Sequence, residues 1–297
     1  MVQKSFGKLR TAKFNKGEEP LAIELVFATP KSARSVSTTI RKLLPDAKIR
    51  VEHAFEKGVD DRFLFVEFED IPPEGQEPEA FAFARELRKA MKALEANPIL
   101  ADSLYGATAI SPAGDEEGFF NFCSTAVNDE LPDGWVHPII DTPSAWKNNT
   151  GEKATVAVID TGYSSHDELK DAIKKTGQLN LVEGGTDASD RFSGGLLTQP
   201  GHGTTVCSVV ASRGSADEQG NTTGPGRITG SAPGSKLLPI RAIKSVINFR
   251  QKTIPKAIEH AIKKKADVIV MALGGPTRVS ATEMALRRAN EAGIVTV

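Results

Sequence analysis

The spacing of apolar and polar positions differs between the two halves of the chain. Between residues 21 and 105, short apolar runs alternate with two stretches in which apolar side chains recur at helical spacing. The pattern predicts strands over 21–28, 48–55, 62–68 and 99–105, and helices over 32–44 and 79–96. The order β-α-β-β-α-β is typical of a ferredoxin-like α+β domain, which we expect over residues 21–105.

The second half alternates apolar strands with amphipathic helices. The predicted strands are 154–160, 179–182, 237–243, 267–273 and 294–297, and the predicted helices are 168–175, 202–212, 254–264 and 280–292. This alternation predicts an α/β domain with a parallel sheet covered by helices. Its last helix opens with Ser280-Ala281-Thr282-Glu283, which is the residue pattern of a capping box.

Two further segments lack such a rhythm. Residues 1–20 contain five Lys or Arg and two Glu, and we expect a basic, loosely ordered N-terminal arm. Residues 106–130 are rich in Gly, Asp and Glu, which predicts a linker. The expected organisation is therefore an arm over 1–20, a ferredoxin-like domain over 21–105, a linker over 106–130 and an α/β domain over 131–297.

Composition narrows the classes of partner and compartment. The 297 residues are 39% hydrophobic and 25% charged with a formal net charge of −1, which gives no reason to expect nucleic acid or an anionic membrane as a partner. The sequence contains no apolar run of signal-peptide or membrane-spanning length, so we predict a cytoplasmic protein. Two cysteines are too few for a disulfide framework.

The first candidate for chemistry is Asp160. It ends the apolar run Val156–Ile159 and is followed by Thr161 and Gly162. Catalytic and binding groups gather at the carboxyl ends of strands in open α/β sheets. An aspartate at such a position also caps ordinary turns, so this stretch alone does not decide its role.

Two further stretches strengthen the case. His202 opens a predicted helix between two glycines, which let the backbone pass close to its neighbours. The strand over 267–273 ends in Leu273-Gly274-Gly275, where a bare backbone could pair with an extended peptide. A lone histidine at a helix start commonly caps it, and Leu-Gly-Gly commonly forms a turn. Their occurrence in this order on an alternating α/β pattern favours a functional site.

With these motifs, residues 131–297 resemble the subtilisin-like serine proteases, or subtilases. Val156–Gly162 resembles the strand that carries the family's catalytic Asp. Gly201–Cys207 resembles its His-Gly-Thr-His-Val-Ala segment, with Thr205 in place of the second His. Ala266–Gly275 resembles its strand Ala-Asp-Val-Ile-Asn-Met-Ser-Leu-Gly-Gly. The resemblance implies a subtilisin-like parallel-sheet domain.

The resemblance also implies roles for individual residues. Asp160 would orient His202, which would deprotonate a serine in an Asp-His-Ser triad. The backbone of Leu273, Gly274 and Gly275 would bind a protein or peptide substrate as an added strand. The implied activity is that of a serine endopeptidase. Calcium sites are common in the family, but no metal ligands or other cofactor can be assigned in this sequence.

One departure from the family concerns the nucleophile. The segment Gly-Thr-Ser-x-Ala, which carries the serine in subtilases, occurs nowhere in the 297 residues. Ser208, Ser212 and Ser280 stand in other contexts, on or beside predicted helices. We therefore expect a catalytic domain truncated before the serine, which would lie beyond this chain. A catalytically inactive peptide-binding protein and one half of a split protease remain the alternatives.

The resemblance gives the N-terminal half two candidate roles. Subtilases often carry a ferredoxin-like propeptide directly before the protease domain, and residues 21–105 fit that topology. No motif in these residues confirms the role, so a regulatory domain of the same fold stays an equal alternative.

Other enzyme classes fit less well. An aspartic protease needs a second Asp-Thr-Gly and an all-β body, and a dinucleotide-binding domain needs Gly-x-Gly-x-x-Gly. A zinc hydrolase needs clustered ligands, whereas the histidines are scattered and no His-Glu-x-x-His occurs; they are His53, His137, His166, His202 and His260.

Overall fold

The computed structural model describes residues 1–11, 20–72, 77–94, 96, 98–103, 136–191, 200–214, 229–244, 251–274 and 278–297. The chain divides into two compact units. The first comprises Met1–Thr108, Ile247–Glu259 and Gly274–Arg288, and the second comprises Ala109–Val246, His260–Leu273 and Ala289–Val297. The predicted linker over 106–130 lies outside the described residues.

The first unit contains a four-stranded antiparallel sheet. Its strands are β1 (Leu21–Phe27), β2 (Ile49–His53), β3 (Phe63–Phe68) and β4 (Pro98–Ser103), in the order β2-β3-β1-β4. Helix α2 (Ala33–Leu43) follows β1, and helix α3 (Glu77–Ala93) precedes β4. The predicted order of strands and helices is therefore observed, while the assignment of this region as a ferredoxin-like domain stays a prediction.

The N-terminus departs from the sequence expectation. Residues Val2–Leu9 form helix α1, in which Val2, Phe6 and Leu9 are buried. The Phe6 ring lies 6.0 Å from the Phe68 ring and 6.1 Å from the Phe83 ring, measured between centroids. The prediction of a loosely ordered arm is wrong for these residues, because apolar side chains at helical spacing give the segment a face that can be buried.

The capping of a later helix also differs from the prediction. Helix α8 (Ser280–Glu291) receives its cap from Glu24 on β1, whose carboxylate accepts hydrogen bonds from the Ser280 and Ala281 N–H groups at 3.0 and 2.8 Å. Glu283 instead pairs with Arg278 and Arg287. The predicted capping box is wrong, because a buried carboxylate from another element satisfies the first N–H groups of the helix.

The second unit is built on a five-stranded parallel sheet. Its strands are β5 (Thr155–Asp160), β6 (Leu179–Asn180), β7 (Lys236–Arg241), β8 (Val268–Val270) and β9 (Val295–Thr296), in the order β6-β7-β5-β8-β9. Its helices include α4 (Val136–Ile139), α5 (Thr142–Trp146) and α6 (His202–Ala211). Helices α7 (Ile254–Lys263) and α8 each begin in a segment of the first unit and end in a segment of the second. The predicted α/β class with a parallel sheet is confirmed.

The predicted helix over 168–175 is wrong. Turns occupy this segment, and Ile173 forms a parallel bridge with Leu237. The Lys174 N–H donates to the Leu237 carbonyl at 2.8 Å, and the Leu237 N–H donates to the Ala172 carbonyl at 2.9 Å. Because β6 pairs only with the end of β7, the backbone of Leu237 is left to bond this segment instead.

The core of the second unit joins β5 to helix α6. Val156 and Val158 of β5 pack in one cluster with Val206, Cys207 and Val210 of α6. This packing brings the first residue of α6 to the carboxyl end of β5. None of the helices in the described ranges is both long enough and apolar enough to cross a membrane.

Candidate active site

Asp160 is the last residue of β5 and is almost completely buried, with 1% of its surface exposed. Its carboxylate accepts a hydrogen bond from the Thr161 N–H at 2.6 Å. A buried carboxylate needs such donors because water no longer solvates its charge. The residue is therefore fixed by the strand on one side and by the following turn on the other.

His202 is the first residue of α6 and faces this carboxylate. Its Nδ1 lies 2.9 Å from Oδ1 and 3.1 Å from Oδ2 of Asp160. Because a carboxylate only accepts hydrogen bonds, Nδ1 carries the proton and Nε2 presents its lone pair when the ring is neutral. The hydrogen bond to Asp160 raises the pKa of His202 above its ordinary value. The described part of the chain offers Nε2 no hydrogen-bond partner, and 22% of the side chain is exposed.

Two glycines allow the strand end and the helix start to approach each other. A Cβ on Gly203 would lie 2.0 Å from the Gly162 carbonyl oxygen, which no side chain could tolerate. Gly162 itself has φ +103°, and a Cβ there would lie 2.5 Å from the Ala188 carbonyl oxygen. The sequence prediction of a close backbone approach beside His202 is confirmed for Gly203, and the structure identifies its partner.

A second carboxylate lies behind the Asp160–His202 pair. Asp190 Oδ2 accepts hydrogen bonds from the Gly201 N–H at 2.8 Å and from the Thr161 hydroxyl at 3.1 Å. The Thr161 hydroxyl oxygen in turn accepts a hydrogen bond from the Gly203 N–H at 3.1 Å. Sequence reasoning missed Asp190, because it lies in a loop and no periodic pattern marks it.

Arg241 supplies the positive charge for this region. It is 2% exposed at the end of β7, in register with Asp160, and its guanidinium binds Glu183 through two hydrogen bonds of 2.8 Å. These bonds lower the pKa of Glu183 to about 2 and raise the pKa of Arg241. A charged residue directly after the apolar run of β7 was the available sequence signal, since parallel strands end at the same edge.

The residues predicted to bind substrate are only partly described. Leu273 is partly exposed, and Gly274 is exposed with open space where a Cβ would lie. Gly275 lies outside the described residues. Their role in binding a peptide stays a prediction.

The described serines near α6 are engaged in other hydrogen bonds. The Ser208 hydroxyl donates to the Thr205 carbonyl at 2.8 Å, and the Ser212 hydroxyl donates to Glu168 at 2.6 Å. Cys207 is fully buried, and burial raises the pKa of its thiol, so it packs as a small apolar residue.

Metal ligands are not assembled in the described part of the chain. There, no group of three or more His, Cys, Asp or Glu side chains is placed to hold an ion. The calcium that the resemblance allows therefore has no assigned ligands here.

Comparison with known proteins identifies the family. Residues 151–297 match the model of the subtilase family. These residues belong to the subtilase family. The match includes both Asp160 and His202, and it covers the strands β5 to β9.

Individual subtilases are similar to about half of the chain. The major intracellular serine protease of Bacillus subtilis (strain 168) is 32% identical over 174 residues, which are 57% of this chain and 48% of that protein. Subtilisin DY of Bacillus licheniformis is 34% identical over 148 residues, or 50% of this chain and 46% of that protein. The chain thus spans about half the length of these curated relatives.

Structural similarity covers more of the chain than sequence similarity does. Fervidolysin from Fervidobacterium pennivorans, described as a keratinolytic enzyme related to subtilisin, matches 96% of this chain and 40% of its own with a TM-score of 0.55. The sequence identity over this match is 16%, so the likeness shows the fold alone.

Proposed function

We propose that this protein is a serine endopeptidase of the subtilisin type, which hydrolyses peptide bonds in proteins or peptides. The observation that carries the proposal is the hydrogen bond of 2.9 Å between His202 Nδ1 and the buried Asp160 carboxylate. This bond fixes the tautomer in which Nε2 can accept a proton. The matching subtilase family and its named serine proteases support the same conclusion.

Each residue has a defined part in the proposed reaction. His202 Nε2 takes the proton from a serine hydroxyl as that oxygen attacks the peptide carbonyl, and later returns it to the leaving amine. Asp160 stabilises the imidazolium that forms between these steps. The backbone of Leu273–Gly275 holds the substrate as an added strand. The nucleophilic serine is proposed to lie outside these 297 residues, which contain no Gly-Thr-Ser-x-Ala segment.

The test uses the complete reading frame that contains these residues. We expect His202→Ala to lower kcat/KM for peptide hydrolysis by about 10⁴-fold or more. His166→Ala is the matched control, because His166 is exposed and its ring accepts a hydrogen bond from the nearby Glu168 N–H. We expect the control to keep its activity and its labelling by a fluorophosphonate, which reacts with an activated serine. Full activity in His202→Ala would overturn the proposal.

The alternative is a protein that binds extended peptides without cutting them, or one half of a split protease. The intact mass of the protein from its source cells separates the two proposals. A mass well above 31.8 kDa together with fluorophosphonate labelling supports the protease. A mass near 31.8 kDa with peptide binding and no hydrolysis supports the alternative.

We further propose that residues 21–105 act as a propeptide or regulatory domain. The support comes from the first unit, where Glu24 caps α8 and the Lys252 ammonium lies 3.2 Å from Glu52 and 2.6 Å from Glu67. One face of this sheet thus places carboxylates against Lys252 and against the start of α8. Both lie within residues 151–297, which match the subtilase family. A cytoplasmic location is proposed as well, and the name of the major intracellular serine protease supports it.

A further inference from the structure

The backbone on both sides of His202 is bound to a single buried carboxylate. Gly201, which precedes His202, donates its N–H directly to Asp190 at 2.8 Å. Gly203, which follows His202, donates its N–H to the Thr161 oxygen, and the Thr161 hydroxyl donates to the same oxygen of Asp190. Asp190 and Thr161 therefore form a clamp around the one residue between these glycines.

The local sequence of α6 makes such a clamp necessary. The residue before the helix is Gly201, with φ +86°, and no side chain of its own caps the helix. Glycines on both sides of His202 leave the backbone more conformational freedom than any other residue type would. The Gly203 N–H, which a capping Ser or Asp would normally bond, is bonded here by the Thr161 hydroxyl oxygen, and Asp190 bonds the N–H of Gly201 at the cap position itself.

The charge of the clamp is held in place by Arg241. The side chains of Asp190 and Arg241 are 4% and 2% exposed, and Arg241 Nη1 lies 3.5 Å from Asp190 Oδ1. The same nitrogen donates to the Thr161 carbonyl. The two hydrogen bonds that the guanidinium donates to Glu183 fix the plane of the guanidinium. Such a partner holds the buried carboxylate of Asp190 in a defined position.

We propose that Asp190 is a positioning residue that holds the His202 imidazole against Asp160, with Thr161 as the link and Arg241–Glu183 as the fixed counter-charge. The inference rests on the proposed function, in which His202 is the general base. Asp190 lies behind the backbone of His202 and acts on the reaction only through the orientation of that ring. Its loss should therefore weaken the bond between Nδ1 and Asp160.

The test reads the pKa of His202 by NMR of the histidine-labelled chain. Thr161→Val removes the hydroxyl with little change in shape and no change in charge, whereas Thr161→Ser keeps the hydroxyl. We expect the pKa of His202 to fall by about 0.5 to 1 unit in Thr161→Val and by less than about 0.2 in Thr161→Ser. A loss of packing alone would not distinguish these variants in this way.

A second pair of variants tests the carboxylate itself. Asp190→Asn should lower the pKa of His202 at least as much as Thr161→Val does. Asp187→Asn is the matched control, since Asp187 is 57% exposed, lies in the same loop and bonds Ser189 and Arg191 instead. We expect Asp187→Asn to leave the pKa of His202 unchanged. If Asp190→Asn does not fold, the comparison of Thr161→Val with Thr161→Ser decides.

Asp160→Asn separates this inference from the proposed function. We expect it to lower the pKa of His202 by about 1 to 3 units, the range for loss of an adjacent opposite charge. If it does so while Thr161→Val and Asp190→Asn keep the wild-type value, the positioning role is overturned and the Asp160–His202 pair stands. If Asp160→Asn itself changes nothing, the pair that carries the proposed function is overturned.

Discussion

At the scale of single residues, the contact between His202 and Asp160 determines whether the folded protein gains or loses stability as the pH rises. The hydrogen bond to Asp160 raises the pKa of His202 above 6.5, its ordinary value. A raised pKa means that the folded protein favours the protonated ring. The resulting stabilisation is fully present below pH 6.5 and is lost as the pH rises through the raised pKa of the folded state.

This pH dependence predicts how the loss of His202 affects stability at low and at high pH. We expect the free energy of unfolding to differ more between wild type and His202→Ala at pH 5 than at pH 9, because only the protonated ring forms an ion pair with Asp160. Urea unfolding at both pH values measures the difference, with His166→Ala as the control for removal of an exposed histidine. An equal difference at both pH values would contradict the prediction. If His202 is the general base of the proposed function, activity should rise with pH through the pKa of His202.

At the scale of elements, the first turn of α8 depends on a strand that is distant in sequence. Glu24 is 1% exposed on β1, and its two oxygens accept the Ser280 and Ala281 N–H groups. A carboxylate at this end also interacts favourably with the helix dipole. Both effects vanish when the side chain is removed, because the N–H groups of a buried helix start have no water to bond.

We therefore expect Glu24→Ala to lower the free energy of unfolding by about 2 kcal/mol, a value typical of a lost helix cap with buried donors. Glu24→Gln keeps one acceptor oxygen and should lie between wild type and Glu24→Ala. Glu79→Ala is the control, since Glu79 pairs with Lys8 at the surface and its removal should change little. Chemical unfolding measures all three variants. A Glu24→Ala variant as stable as the control would refute the capping role.

A pair of lysines in the same unit adds a second, acid-sensitive contact. Burial opposes the charge of Glu52, but Lys256 and Lys252 outweigh this and lower the pKa of Glu52. A lowered pKa contributes stability above pH 4.5, the ordinary value, and this contribution is lost as the pH falls through the folded value. The contacts of Glu52 with Lys252 and Lys256 thus weaken in acid.

At the scale of the whole molecule, the open question is whether the N-terminal half is removed. If residues 21–105 are a propeptide, the active enzyme from source cells should begin after the predicted linker at 106–130. The His202→Ala enzyme should keep its N-terminus, because it cannot cleave itself. N-terminal sequencing and intact mass of both proteins provide the measurement. An active enzyme that retains residues 21–105 would instead favour a regulatory domain.

Much of the fold was predictable because local pattern and tertiary structure agree. The helix over 202–212 was predicted within one residue of its observed end at Ala211, since its apolar side chains are those buried against β5. The segment over 168–175 was mispredicted as a helix, because its helical spacing competes with a sheet edge that only the tertiary structure supplies.

The sequence by itself determined the parallel sheet and indicated Asp160 and His202 as candidates, because apolar periodicity and the residue types at strand ends are local properties. Only the tertiary structure decided what surrounds them. The link from Asp190 through Thr161 to both neighbours of His202, the Arg241–Glu183 pair and the cap from Glu24 all join distant positions in the chain. Hydrogen bonds between such positions leave no periodic trace in a sequence, because each depends on where the fold brings two unrelated segments together.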